Sequence, residues 1–172
     1  SVIIGNSVKT IGEGAFYNCD ALASVTIPDS VMTIGDFAFW GCYKLTSVTI
    51  GNSVTTIGIS AFADCSALTD ISIPESVISI GNLAFHGCSS LPIFDNIMYA
   101  GTNLIKVIDK TQTSYTIKEG TQFIAENAFS NCRYMTSITL PDGITVIRKN
   151  TFMSCDALES ITLPESVTTI EE

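Results

Sequence analysis

The sequence predicts an α/β solenoid of about seven turns of 23 residues, with short strands on one side and short helices on the other. Three features recur in phase: a phenylalanine, a β-branched residue and a cysteine three residues after each phenylalanine. The phenylalanines are Phe16, Phe39, Phe62, Phe85, Phe129 and Phe152, and the β-branched column is Val25, Val48, Ile71, Ile138 and Ile161. Units this short bury their apolar faces only by stacking on one another, so we expect one shared core.

Each repeat is predicted to begin with a short strand that has one buried face. Within residues 23–27 the apolar side chains alternate with Ser24 and Thr26, which is the period of a half-buried strand. Counting by the repeat length places Tyr115 and Phe94 in the same inward column. With one strand at the N-terminus, eight strands joined by seven turns are predicted.

A turn and a short helix are predicted to follow each strand. Residues 28–30, Pro-Asp-Ser, combine a fixed φ with short polar side chains, as tight turns do. The next apolar residues are spaced by four, four and three, which indicates a helical stripe; they are Ile34, Ala38, Cys42 and Leu45. The residue before each cysteine is Gly, Asn, Asp or Ser, so we expect a left-handed residue at the helix end.

Two sequence patterns carry a resemblance to a known family. LTSVTI at 45–50 fits the leucine-rich-repeat opening L-x-x-L-x-L. IPDSVMTIGDFAFWGC at 27–42 and IPESVISIGNLAFHGC at 73–88 follow the pattern IP-x-S-V-x-x-IG-x-x-AF-x-x-C. Over essentially its whole length the chain therefore resembles the BspA-like (Treponema pallidum-type) leucine-rich repeat.

The resemblance implies a right-handed leucine-rich-repeat solenoid and no catalytic residues. Such repeats are typical of large surface proteins of host-associated bacteria and some protist parasites. The resemblance therefore implies a protein-binding or adhesion module of a cell-surface or secreted protein. Its partner would be a protein, such as a host extracellular matrix or surface protein. Residues 1–172 are expected to form a single domain within a larger array. The alternative is a passive stalk that spaces another domain from the cell surface.

The segment at 89–114 departs from the repeat, because its turn has 21 residues and lacks AF-x-x-C. Its β-prone runs at 97–99 and 104–107 predict a hairpin in place of the helical segment. This hairpin is either a tolerated structural variant or a binding protrusion. Since it lacks the phenylalanine and cysteine of the other turns, we expect it to be the most mobile segment. Asn96 stands where an alternating strand needs an inward apolar residue, so that strand is expected to be short or bent.

The six cysteines are predicted to be free, buried thiols, because all occupy one register of the apolar stripe. A zinc site would need clustered ligands with C-x₂₋₄-C spacing, and no such pair occurs. Neighbouring turns lie about 5 Å apart, which a disulfide tolerates. Equivalent side chains in a stack point the same way, however, so bridging would require backbone movement. No metal or cofactor is expected.

Charge and motif content exclude several functional classes. The net charge is −9, and Lys9 and Lys44 are the only basic residues among the first hundred, so neither nucleic acid nor anionic lipid is expected as a partner. No apolar run is long enough to span a membrane, and the opening SVIIGNSV shows no signal-peptide pattern. With His86 as the single histidine and no recognisable catalytic motif, enzyme activity is not expected.

Outward strand positions form two columns of small polar residues, which we call the hydroxyl face. Its members are Ser24, Thr26, Ser47, Thr49, Asp70, Ser72, Asp95, Ser114, Thr116, Ser137, Thr139, Ser160 and Thr162. These residues are either soluble side chains that suit a crowded strand or a concave recognition surface of the kind solenoids use. A third interpretation, an ice-binding ladder, is disfavoured because the columns are interrupted. Tyr43 and Tyr134 are predicted as aromatic anchors at the rim.

Overall fold

The computed structural model describes residues 1–171 and contains two compact units, of which the first is Ser1–Leu91 and the second begins at Pro92. Eight short strands lie in the first unit: β1 Val2–Ile3, β2 Thr10–Ile11, β3 Ser24–Ile27, β4 Thr33–Ile34, β5 Ser47–Ile50, β6 Thr56–Ile57, β7 Asp70–Ser72 and β8 Ser79–Ile80. They form two parallel sheets, ordered β1-β3-β5-β7 and β2-β4-β6-β8. The strands of the sheet β1-β3-β5-β7 were predicted from the sequence, whereas those of the sheet β2-β4-β6-β8 were not.

The strand register of the first unit follows the sequence repeat. Val25 pairs with Val2 on one side and with Val48 on the other, each 23 residues away. The inward side chains of β3, β5 and β7 are almost completely buried. The one-face-buried strand predicted from apolar alternation is therefore confirmed.

The phenylalanines of the first unit form a ladder inside the stacked turns. The ring centroids of Phe16 and Phe39 lie 5.0 Å apart, those of Phe39 and Phe62 5.2 Å, and those of Phe62 and Phe85 5.6 Å. The planes are parallel to within 9°. Each turn thus adds one ring to a continuous aromatic core.

The prediction of short helices is wrong, because residues 1–171 contain no helix, and so none that could cross a membrane. Backbone N–H groups alternate between two kinds of acceptor: Phe37 and Phe39 donate to the next turn, whereas Trp40 donates to the carbonyl three residues back. Two left-handed residues also lie four positions apart in the same turn, as at Phe37 (φ 55°) and Gly41 (φ 70°). An α-helix allows neither feature. The left-handed residue predicted before each cysteine is confirmed at all six positions.

The second unit also contains eight strands: β9 Ile93–Phe94, β10 Ile97–Ala100, β11 Asn103–Val107, β12 Phe123–Ile124, β13 Ser137–Thr139, β14 Val146–Ile147, β15 Ser160–Thr162 and β16 Thr169–Ile170. One sheet has the order β12-β11-β10-β9, and the other two pair β13 with β15 and β14 with β16. Thr116 joins Thr139 through a single parallel bridge. The repeat register therefore resumes after the irregular segment.

The irregular segment is a packed hairpin. β10 and β11 pair antiparallel, and Ile97, Tyr99, Leu104 and Val107 lie within the core of the second unit, at most 2% exposed. These side chains belong to the same core cluster as Phe129 and Cys132 of a later turn. The expected mobility of residues 97–107 therefore loses its physical basis. That residues 1–172 form one domain stays a prediction.

The strand before the hairpin differs from the prediction in one respect. β9 is only two residues long, as expected, and Asp95 and Asn96 after it have left-handed backbones (φ 46° and 59°). Phe94, however, is 45% exposed instead of inward. β9 pairs antiparallel with β10, so it does not present its side chains in the phase that counting by the repeat length assumes.

Candidate functional site

The hydroxyl face of the first unit is built by strand alternation. Because β3, β5 and β7 pair in parallel, Ser24 lies beside Ser47, and Ser47 beside Asp70. The second column in the same register is Thr26, Thr49 and Ser72. This second column and Asp70 are exposed, whereas Ser24 and Ser47 are half-buried. Neighbouring side chains in a column are spaced at about 4.8 Å, the distance between paired strands.

The second unit carries a separate set of hydroxyl columns, all of it exposed. Its members are Ser114, Thr116, Ser137, Thr139, Ser160 and Thr162. Ser137 pairs with Ser160 and Thr139 with Thr162. Residues 114–117, strand β13, Glu119 and Pro141 line a groove of about 350 Å³. The groove offers hydroxyl groups and one carboxylate to a partner.

Asp95 has a structural contact within the hydroxyl face. Its carboxylate Oδ2 accepts the backbone N–H of Thr116, so a side chain replaces a ladder bond between these chain segments. Asp95 is nevertheless exposed, and its charge stays available to a partner. Its predicted role in binding stays a prediction.

The two predicted anchors lie in different units. Tyr43 is 48% exposed in the first unit, and Tyr134 is 61% exposed in the second. Arg133, next to Tyr134, lies 3.8 Å from Asp156 in an exposed ion pair. Both tyrosines have the exposure that an anchor needs.

The thiols are held by burial and by hydrogen bonds to backbone carbonyls of the preceding turn. All six cysteines are free, four are buried, and Cys19 and Cys155 are half-buried. The thiol of Cys65 donates to the Phe39 carbonyl at 3.2 Å, and that of Cys88 donates to the Phe62 carbonyl at 3.1 Å. Burial raises the pKa of the Cys132 and Cys155 thiols, which keeps them protonated and poorly nucleophilic. Within residues 1–171, no group of three or more His, Cys, Asp or Glu side chains could hold a metal ion.

Sequence reasoning missed an exposed set of large apolar side chains in the first unit, at Phe37, Ile59 and Leu83. A signal was available in the register of the repeat. The positions equivalent to Phe37 and Leu83 carry Gly14, Ser60, Asn127 and Asn150. An apolar residue in that column therefore stands out, but a helical assignment of the segment concealed it.

Comparison with solved structures agrees with the fold. The chain is similar to a leucine-rich repeat protein of T. pallidum, with 29% identity, a TM-score of 0.54, and coverage of 95% of this chain and 67% of that one. A leucine-rich repeat protein of Bacteroides ovatus is 29% identical, with a TM-score of 0.49 and coverage of 95% and 43%. The chain thus spans only part of the length of these proteins. Comparison with curated proteins gave no significant match.

The repeat itself identifies the family. The model of the family described as "BspA type Leucine rich repeat region" matches residues 1–106 and 108–172, in six copies. The match covers nearly the whole chain, in which equivalent residues of neighbouring strands such as Val25 and Val48 are 23 positions apart. The chain therefore belongs to the BspA-type leucine-rich repeat family.

Proposed function

We propose that the chain is a non-catalytic protein-binding module of a cell-surface or secreted protein, and that it acts in adhesion through the hydroxyl face. The observation that carries this proposal is the exposure of in-register polar columns in both units, as at Thr26 and Thr49 or Thr139 and Thr162. Membership of the family supports a protein partner, such as a host extracellular matrix or surface protein.

The dimensions of the hydroxyl face favour an extended contact of modest affinity. Serine and threonine are short, so a partner surface can approach the strands closely and bond to the hydroxyl groups. Interface energy is concentrated in aromatic and arginine side chains, and the exposed Tyr43 and Tyr134 supply these at the rim. Asp70 adds an exposed negative charge within the first unit.

The carboxylates support a non-catalytic role because several of them hold neighbouring turns together. Asp29 Oδ1 accepts the backbone N–H of Asn52 at 2.6 Å, and Asp36 Oδ1 accepts that of Ile59 at 2.7 Å. Each acid bonds to the turn 23 residues further on. Such bonds give Asp29 and Asp36 a structural purpose in their own turns.

A passive stalk is the second candidate function. It is favoured by the bonds that link successive turns in both sheets of the first unit. A spacer needs this rigidity and requires no ligand. The two functions differ in one observable property, which is saturable binding.

The test is to measure binding of the full chain to a panel of extracellular matrix and surface proteins by surface plasmon resonance. Ser47→Arg, Ser72→Arg and Ser137→Arg add bulk and charge to the hydroxyl face, so each is expected to weaken saturable binding at least tenfold. Tyr17→Ser and His86→Ser are the controls, because both residues are exposed outside that face. Loss of binding only in the controls would refute the assignment of the face. The absence of saturable binding to every panel member would favour the stalk.

A further inference from the structure

Three large apolar side chains lie exposed on consecutive turns of the first unit. Phe37 is 37% exposed, Ile59 46% and Leu83 54%. The backbone N–H of Phe37 donates to the Ile59 carbonyl at 2.9 Å, and that of Ser60 donates to the Asn82 carbonyl at 3.0 Å. The three residues therefore occupy adjoining turns. We call them the apolar strip.

The fold does not require apolar residues at these positions. In the second unit the equivalent residues are Glu126, Asn127, Lys149 and Asn150, and all are polar. Phe37 and Leu83 also have left-handed backbones (φ 55° and 59°), a conformation that glycine and asparagine adopt more readily. The residues of the apolar strip are thus unfavourable in two respects: their apolar side chains are exposed to water, and Phe37 and Leu83 adopt a backbone conformation that suits other residue types. Exposed apolar groups of this kind mark interaction surfaces.

The charge around the apolar strip restricts its partner. Asp36 precedes Phe37, and Glu13 occupies the equivalent position one turn earlier. Lys9 and Lys44 are the only basic residues of the first unit. A second copy of this chain would bring the same acidic residues to the interface and would be repelled. A partner with positive charges beside its apolar side chains is complementary.

The spacing of the turns indicates the secondary structure of that partner. Successive turns are about 4.8 Å apart, so the strip advances by about that distance from turn to turn, with Ile59 one residue before the register position of Phe37 and Leu83. A helix laid along the stack presents apolar side chains every three to four residues, which is a rise of about 5 Å. An extended strand presents same-side residues about 6.7 Å apart. The repeat distance of a helix therefore matches the spacing of the three turns more closely than that of a strand.

We propose that the apolar strip binds an amphipathic α-helix of a partner protein, with the apolar stripe of the helix on Phe37, Ile59 and Leu83 and flanking Lys or Arg residues beside Glu13 and Asp36. This surface is distinct in sequence position from the hydroxyl face. It therefore adds a second binding site, whose existence does not depend on the proposed function.

The test uses a synthetic helical peptide of about 18 residues, with leucines at i, i+4, i+7 and i+11 and lysines flanking them, titrated into the full chain. Trp40 is the single tryptophan, is half-buried, and donates its backbone N–H to the Phe37 carbonyl at 3.0 Å. Its indole stacks on Tyr17 with ring centroids 4.7 Å apart, so its fluorescence reports on the turn that carries Phe37 and on the turn before it. We expect saturable quenching or enhancement of its fluorescence. A scrambled peptide, a peptide with glutamate in place of lysine, and one with alternating leucines should each bind at least tenfold more weakly.

The matched variant is Phe37→Asn with Leu83→Asn, which copies the residues at 127 and 150. It should reduce the affinity for the lysine peptide at least tenfold by calorimetry without lowering the melting temperature. Ser72→Arg, on the hydroxyl face, should leave the affinity unchanged. The proposal is overturned if the lysine peptide shows no saturable binding, if the alternating or scrambled peptide binds equally well, or if the double variant retains full affinity. A large fall in melting temperature would also overturn it, because the strip would then be part of the fold.

Discussion

Truncation of Phe62 to alanine tests the aromatic ladder where it is most enclosed. The ring is fully buried and stacks on both sides, 5.2 Å from Phe39 and 5.6 Å from Phe85. Phenylalanine-to-alanine changes in cores cost about 3–5 kcal/mol, and the loss of two stacking partners keeps Phe62 above the lower end of that range. We therefore expect the free energy of unfolding to fall by about 4 kcal/mol. Urea denaturation followed by circular dichroism measures it, provided the slope against urea is unchanged.

Phe16→Ala is the matched control within the same unit. Phe16 is half-buried and has a single stacking partner, Phe39 at 5.0 Å. Its truncation is expected to cost about 2 kcal/mol, because less area and one ring contact are lost. Equal losses for Phe16→Ala and Phe62→Ala would refute the reasoning, since burial and two-sided stacking would then contribute nothing.

Three further predictions concern thiols, pH and the hairpin. In the unreduced protein, denaturation should expose six titratable thiols, and Cys19 and Cys155 should react first in the native state because they are half-buried; fewer than six would reveal a bridge. Burial raises the pKa of Cys132 and of Tyr115, so the stability they contribute is complete below the unfolded pKa and lost as pH rises. Urea denaturation should therefore show the free energy of unfolding falling above about pH 9 for Cys132 and above about pH 10 for Tyr115, by up to about 1.4 kcal/mol per pH unit for each group, and a flat profile would contradict this. Residues 97–107 should exchange backbone hydrogens as slowly as the inward strands, since they lie in the core; fast exchange would restore the mobile-loop interpretation.

The strand register could be predicted because it follows directly from counting. A repeat of fixed length in parallel strands brings equivalent residues together, so Val25 had to lie beside Val48. The hydroxyl columns followed from the same alternation. The prediction that Phe94 points inward failed because counting by the repeat length assumes an unbroken stack of turns, whereas β9 pairs with the hairpin strand β10.

The helix prediction failed because local spacing does not distinguish a helix from a series of tight turns. Both bury a residue every three or four positions, as at Ala38 and Cys42. What excludes the helix is the N–H of Phe39, which donates to a carbonyl of the next turn. That partner lies 22 residues away along the chain, beyond the reach of a local pattern. The apolar strip was hidden for the same reason.

The alternation of hydrogen bonds within and between turns has a mechanical consequence. When the first unit is pulled along its stacking direction from the end at Val2, the bonds between turns are loaded one turn at a time, as in a zipper. The turn boundaries repeat every 23 residues, as at Ser24 and Ser47, so each rupture releases about 80 Å of chain. The unit should therefore lengthen in equal steps at low force, and the turns still stacked should keep their structure during extension.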